Sequence, residues 1–283
     1  MSEYLRVGIA QWTPGPDPDG NLRTAETAIQ ELAGRGCRLV LLPELWLCGY
    51  RGASLAADAR AAAEPIGGPV QRRLAALAAS AGIVLCPGTF PELDGGELFN
   101  TAVVYGPSGD LLLRHRKVHL YATEPGAFRA GDVITVGDVA GIGRVGLCVC
   151  FDGDFPETAR ALRAAGADLV LHPSAYEAGA ERWWDVIYPA QALCNGQWWI
   201  SANQHGGAAG DRMLGGSRVI SPDGRTVAAA PRHRDAVIAP ELLVADLAVE
   251  DELSAAAAAG AMLWPAAAGA PTLSPPPRTE EIS

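Results

Sequence analysis

Apolar and polar residues alternate from Leu5 to Gln11, the period of a half-buried strand, until Pro14-Gly15-Pro16 interrupts them. From Asn21 to Leu32 the spacing becomes helical through Leu22, Ala25, Ile29 and Leu32, and Gly34 and Gly36 close the segment. The unbroken run Leu39-Val40-Leu41-Leu42 predicts a strand buried on both faces, stopped by Pro43 with Glu44 at its end. Pro69 to Ala81 predicts a helix with Leu74, Leu77 and Ala78 inward, followed by a short apolar strand from Ile83 to Cys86. The pattern then changes, because Leu98 to Tyr105 and Asp110 to Lys117 are extended runs joined by the turn sequence Gly106-Pro107-Ser108-Gly109. Strands are predicted at Arg144 to Cys150, Asp168 to Leu171 and Trp198 to Ser201, with helices from Phe155 to Ala165 and Glu181 to Asn195 between them. A second hairpin spans Ser217 to Ala230 across Ser221-Pro222-Asp223-Gly224, and Ala236 to Leu247 supplies one more strand.

Parallel units and hairpins together predict an α/β (α+β) fold with mixed sheets. No Pro- or Gly-rich linker divides residues 1–250, which are expected to form one layered body. Residues 251–283 are Ala-rich and then Pro-rich, the composition of a helical and then disordered extension. Nearly half of the 283 residues are apolar, enough to bury a sizeable core. The net charge of −10, without any run of basic residues, removes the footprint expected of nucleic-acid or anionic-membrane binding. No apolar run reaches the length of a membrane span, and the first residues are acidic where a signal peptide is basic, so a cytoplasmic protein is expected. In that compartment most of the six cysteines are expected to be buried small hydrophobes.

Three residues change the picture. Cys150 falls between a predicted strand end and a helix start, where free backbone N–H groups and the helix dipole favour a thiolate and an oxyanion. A buried core cysteine is the alternative. Asp154 and Glu157 around Pro156 have the spacing of a capping box for that helix. Glu44 ends an apolar strand, where an uncompensated charge is costly unless the strand ends line a cleft. Lys117 is the single lysine among 22 basic residues, a pattern that suggests a need for a compact ammonium. Cys148, Cys150 and His172 lack the paired spacing of a zinc site, and neither a Gly-x-Ser-x-Gly elbow nor a phosphate-binding loop is present, so no metal or cofactor is expected.

Pro43-Glu44-Leu45 with Gly49-Tyr50, His115-Arg116-Lys117-Val118-His119-Leu120, and Cys150-Phe151-Asp152 with Phe155-Pro156-Glu157 resemble, in that order, the three signature segments of the nitrilase superfamily of carbon–nitrogen hydrolases. The resemblance covers roughly Tyr4 to Leu247. It implies a four-layer α-β-β-α sandwich and a Glu-Lys-Cys triad carried by Glu44, Lys117 and Cys150. A second glutamate of the family falls on Glu124. The implied roles are Cys150 as nucleophile, Glu44 as general base, Lys117 and the Phe151 backbone N–H as oxyanion holders, and Glu124 as a positioning group. The resemblance also implies a small-molecule amide substrate and a homodimer or larger homo-oligomer.

Tyr50, Ser174, Tyr176, Glu177 and Trp183 are the candidate substrate-binding residues, and Glu177 is a candidate to receive a cationic substrate end. Cys150-Phe151-Asp152 is closer to amidases than to the Cys-Trp-Glu of nitrilases, so the expected activity is hydrolysis of a small carboxamide to acid and ammonia. Nitrile, N-carbamoyl or amidino hydrolysis is the alternative within the same chemistry. A non-catalytic binding protein on the same fold is the alternative of another class.

Overall fold

The computed structural model describes residues 4–207 and 212–243. The N-terminal half runs β1 (Tyr4–Gln11), α1 (Pro18–Gly34), β2 (Leu39–Leu41), α2 (Leu55–Ala62), α3 (Pro69–Ala81), β3 (Val84–Cys86), β4 (Thr89–Asp94), β5 (Glu97–Tyr105) and β6 (Leu111–Arg116). The chain continues with β7 (Thr135–Val139), β8 (Gly143–Leu147), α4 (Pro156–Ala164), β9 (Leu169–Ser174), α5 (Glu181–Asn195) and β10 (Trp198–Asn203). It ends with β11 (His205–Gly206), β12 (Met213–Leu214), β13 (Arg218–Ile220), β14 (Thr226–Ala229), β15 (Ala236–Ile238) and β16 (Glu241–Leu243). The helix ends follow local chemistry. The Asp17 carboxylate caps α1 by accepting from the Asp19 and Gly20 N–H groups, and left-handed Gly82 and Gly196 close α3 and α5.

One sheet has the order β15-β1-β2-β3-β5-β4, with β16 also on β1 and β6 on β5. The other has the order β14-β13-β10-β9-β8-β7. Each sheet has a parallel centre, β1-β2-β3 in one and β8-β9-β10 in the other, flanked by antiparallel strands. The side-chain period of two then builds the layers. Leu39 and Leu41 join Val145, Leu147, Leu169 and Leu171 in a core between the sheets, while Val40, Leu42 and Leu85 pack outward with Leu22, Ile29, Leu32 and Leu74 of α1 and α3. Trp184 and Tyr188 of α5 cover the outer side of the second sheet. The result is helices, sheet, sheet and helices, the four-layer order expected.

Several details differ from the sequence reading. The strand expected from Arg144 to Cys150 ends at Leu147, because the chain turns into a 3-10 segment at Cys150–Asp154. The strand expected from Ala236 to Leu247 is two short strands, both antiparallel to β1 and parted around Pro240, which lacks the N–H a continuous ladder needs. Residues 244–247 and the extension 251–283 lie outside the described residues. Helix α2 and strands β4, β7, β11 and β12 have no counterpart in the expected elements. Among the described residues no helix is long and apolar enough to cross a membrane.

Candidate active site

Four chain segments converge where the parallel strands end. Beyond β2, the Glu44 N–H donates to the Ser174 carbonyl (3.3 Å) and its own carbonyl accepts from Gln204 Nε2 (2.6 Å). Leu45 is held at φ 46°, a left-handed conformation costly for a branched side chain, and its N–H donates to Thr89 Oγ1 (2.9 Å). The turn is pinned from outside by Gly88, where a Cβ would sit 1.8 Å from the Pro43 carbonyl oxygen, so only glycine fits.

Lys117 follows β6 and is fully buried. Its N–H donates to the Asn100 carbonyl (2.9 Å), and its carbonyl accepts from the Gly131 N–H (2.8 Å). The ammonium Nζ lies 2.8 Å from Glu44 Oε1 and 2.8 Å from Glu124 Oε1. Asn100 Nδ2 donates to the same two oxygens, at 2.7 Å and 3.3 Å. Glu124 sits on a short 3-10 turn, and its Oε2 accepts from the Tyr121 N–H (2.7 Å). Burial alone would strip Lys117 of its proton, but Glu124 and Glu44 hold its pKa well above the ordinary lysine range. Burial pushes the Glu124 carboxyl up to about 7 against the pull of Lys117.

Cys150 is itself left-handed, φ 46°, and opens the 3-10 segment. Among the described residues Leu45, Ala122 and Cys150 are the non-glycine residues with positive φ, and each is a site residue or lies within two positions of one. Glu44 Oε1 is occupied by Lys117 and Asn100, whereas Oε2 accepts from the N–H of Ala175 (2.9 Å), a residue that lines one cavity together with Cys150. Glu44 and Lys117 are the charged groups that act most strongly on the Cys150 thiol. Burial, reinforced by the nearby Glu44, pushes the Cys150 thiol well up, with Lys117 opposing, so the resting group is a protonated thiol next to a carboxylate.

Asp152 ties the lysine segment to the cysteine turn. Its Oδ1 accepts from the Val118 and His119 N–H groups (3.1 and 2.7 Å) and pairs with His119 Nδ1 (3.0 Å), while Oδ2 faces His115 Nε2 (3.2 Å) and the Val149 N–H (3.2 Å). Burial alone would raise its pKa, but these donors hold the carboxyl well below the usual carboxylate range. A depressed folded-state pKa stabilises the fold above the unfolded value of about 4, and the contribution is lost as pH falls through the folded value. Asp152→Asn is expected to cost about 2–4 kcal/mol at pH 7, because its amide group would face donors. The gap to wild type in urea unfolding should shrink below about pH 4; a gap that is constant from pH 7 to pH 3 would contradict this role.

His172 supports the turn from behind. Its Nε2 is 3.0 Å from the Cys150 carbonyl and its Nδ1 is 3.0 Å from Ser201 Oγ. Burial lowers its pKa to about 4, so it is neutral at pH 7, an orienting group for the Cys150 backbone. Gly153 permits this packing, since a Cβ there would meet Tyr188 Cε1 at 2.7 Å.

A cavity of about 480 Å³ opens over Cys150 and Phe151. Of the candidate substrate-binding residues, Tyr176, Glu177 and Trp183 line it. Tyr50 and Ser174 do not. Ser174 is fully buried with its hydroxyl on His172 Nε2 (3.1 Å), because it ends β9 facing the interior. Tyr50 is buried close to Glu124, Lys117, Glu44 and Cys150, and its hydroxyl has no hydrogen-bond partner among the described residues. The capping role expected of Asp154 is not seen. Phe155 is the residue that precedes α4, and the Asp154 carboxylate instead accepts from the Tyr188 and Tyr176 hydroxyls (2.7 and 3.1 Å). The positioning roles of Asp152, Asn100 and Ala175 were not foreseen. Asp152 lies in the third signature segment, but its partners in the lysine segment are more than 30 residues away in sequence. Among the described residues no three His, Cys, Asp or Glu side chains are placed to share a metal ion.

Residues 6–250 match the carbon–nitrogen hydrolase family. The chain is 33% identical over 240 residues to a nitrilase of Pyrococcus abyssi, covering 84% of this chain and 89% of that protein. It is 31% identical over 236 residues to an omega-amidase of Xenopus tropicalis, covering 80% and 84%. In solved structures it resembles a mutant amidase of Nesterenkonia sp. AN1 in complex with butyramide, with TM-score 0.76, 29% identity and coverage of 86% and 92%. A further structure of that amidase carries the acetamide moiety of fluoroacetamide covalently on its active-site cysteine. A nitrilase-superfamily protein of Saccharomyces cerevisiae aligns with TM-score 0.79 at 26% identity, over 89% of this chain and 97% of that one.

Proposed function

The chain belongs to the carbon–nitrogen hydrolase family of the nitrilase superfamily, and from that premise we propose that it hydrolyses a small carboxamide to acid and ammonia through a thioester on Cys150. The observation that carries the reading is a buried Glu44–Lys117 pair whose charges act on the buried Cys150 thiol, with Lys117 fixed on one oxygen of the carboxylate and the other oxygen turned to the Ala175 N–H in the cavity wall.

Glu44 Oε2 takes the thiol proton as sulfur attacks the amide carbon, forming the C–S bond and moving the carbonyl electron pair onto oxygen. The Lys117 ammonium and the Phe151 N–H hold that oxyanion. As the intermediate collapses the C–N bond breaks, and Glu44 returns the proton to the departing nitrogen, which leaves as ammonia. Water then gives a proton to Glu44 and attacks the thioester. The C–S bond breaks, the sulfur regains its proton, and the acid is released. Throughout, Glu124 keeps Lys117 charged, and Asn100 holds the Glu44 and Glu124 carboxylates in register. The buried thiol makes the base necessary, because a nucleophile held above its ordinary pKa is inactive until its proton is removed.

Ammonia release from butyramide, butyronitrile and a ureido compound tests the reading. We expect the amide to be the best substrate and Glu44→Gln to reduce its turnover by about 10³-fold or more. Faster turnover of the nitrile would favour the nitrilase alternative. Full activity of Glu44→Gln would remove the proposed base.

A further inference from the structure

The cavity over Cys150 has an uneven chemistry. Its walls are aromatic, from Tyr121, Phe151, Phe155, Tyr176 and Trp183, and the charged side chains that line it, Asp154, Glu157 and Glu177, are all acidic. Among the described lining residues there is no arginine, lysine or histidine. Lys117 lies beyond the nucleophile, held between Glu44 and Glu124.

Of the three lining acids Asp154 is the closest to Cys150 along the chain. It ends the 3-10 segment that Cys150 begins, so about 8 Å separate their backbones at a rise of ~2.0 Å per residue. Both carboxylate oxygens are oriented by tyrosine hydroxyls, Tyr188 on Oδ1 and Tyr176 on Oδ2, and neither contact neutralises the charge. Among the described residues no cationic side chain forms a salt bridge with Asp154. Burial pushes its pKa up to about 6, so an ionised Asp154 gains from any cation that enters the cavity. Aromatic faces beside a carboxylate are the surroundings that favour an ammonium group over a methyl or a second carboxylate.

We propose that Asp154 determines specificity by selecting amides that carry a protonated amine a short alkyl chain away from the carboxamide. This rests on the reading of Cys150 as the nucleophile. The ammonium pairs with the Asp154 carboxylate against Tyr176 and Trp183 while the carboxamide reaches Cys150. An amide ending in a carboxylate would place two anions together in a partly dehydrated space.

Three amides of matched length test it: 5-aminopentanamide, hexanamide and the monoamide of glutaric acid. Wild type is expected to show a kcat/KM for the amine at least ~10-fold above hexanamide, with the glutaric monoamide lowest. Asp154→Asn should bring the amine-to-hexanamide ratio to within about 2-fold of unity, and Asp154→Glu, which keeps the charge, should keep a preference. An unchanged ratio in Asp154→Asn, an equal loss on all three amides, or a wild-type preference for the glutaric monoamide would overturn the assignment. Calorimetric binding of the same amides to Cys150→Ala, with and without Asp154→Asn, makes the comparison without turnover. A Cys150-dependent hydrolysis of hexanamide without amine preference sinks Asp154 alone. Retained amine-selective binding with turnover that survives Cys150→Ala sinks the thioester reading instead.

Discussion

Cys150→Ala is expected to abolish ammonia release, lowering kcat by about 10⁴-fold or more, while leaving a folded protein that still binds amides. The magnitude follows from the chemistry. Without a sulfur, water must attack an unactivated amide directly, and the oxyanion groups alone retain only a residue of the rate enhancement. Alanine removes one buried atom and adds no volume, so the fold should lose only on the order of 1 kcal/mol. Cys150→Ser is the sharper comparison. Serine keeps the shape, but its hydroxyl is a far weaker acid than a thiol and gives up its proton to a carboxylate base far less readily, so a loss of ~10³-fold or more is expected. Steady-state ammonia release with circular dichroism on each variant checks both statements. Activity in Cys150→Ala within tenfold of wild type would remove Cys150 from the reaction.

Lys117→Met is expected to have two separable effects. Lys117 is enclosed, with Glu44 and Glu124 each 2.8 Å from its ammonium. Removing the cation leaves two carboxylates facing each other out of water, which should cost about 3–5 kcal/mol. It also removes the positive charge assigned to the oxyanion, and kcat should fall by ~10³-fold or more. A second change, Glu124→Gln, removes one of the stranded carboxylates. Lys117→Met with Glu124→Gln should therefore recover much of the stability in urea unfolding and almost none of the activity. Recovery of activity alongside stability would assign Lys117 to structure alone. Lys117→Arg keeps a cation but replaces a point charge with a planar fork in a space with no room for it, and it too should be nearly inactive. This accounts for a chain that uses arginine at every other basic position and keeps one lysine.

Much of this arrangement is legible in the sequence where local chemistry decides structure. The helices Pro69–Ala81 and Glu181–Asn195 have the boundaries their spacing predicts, because proline, or a left-handed glycine past the last turn, marks their ends. The buried run at Leu39 and the glycine-rich turns fix strands and hairpins in the same way. What is not legible depends on distant partners. Thr135–Val139 carries only two strong apolar residues, and it is a strand because β8 pairs with all five of its positions. Asp154 has the composition and spacing of a cap, yet Tyr176, two residues past β9, and Tyr188 of α5 draw its carboxylate into the cavity. Asp152 anchors the His119 backbone 33 residues away, a relation no local window contains. The division of labour between the two Glu44 oxygens depends on the Ala175 amide, 131 residues downstream, and becomes visible only when the strands are assembled.

The central claim is a covalent acyl group on Cys150. Wild type mixed with butyramide, quenched in acid on the millisecond timescale and digested for mass spectrometry, should yield the Cys150 peptide carrying one butyryl group before the steady state and losing it as substrate is exhausted. Butyric acid and ammonia formed while that peptide stays unmodified, or a butyryl group on another residue, would contradict the account.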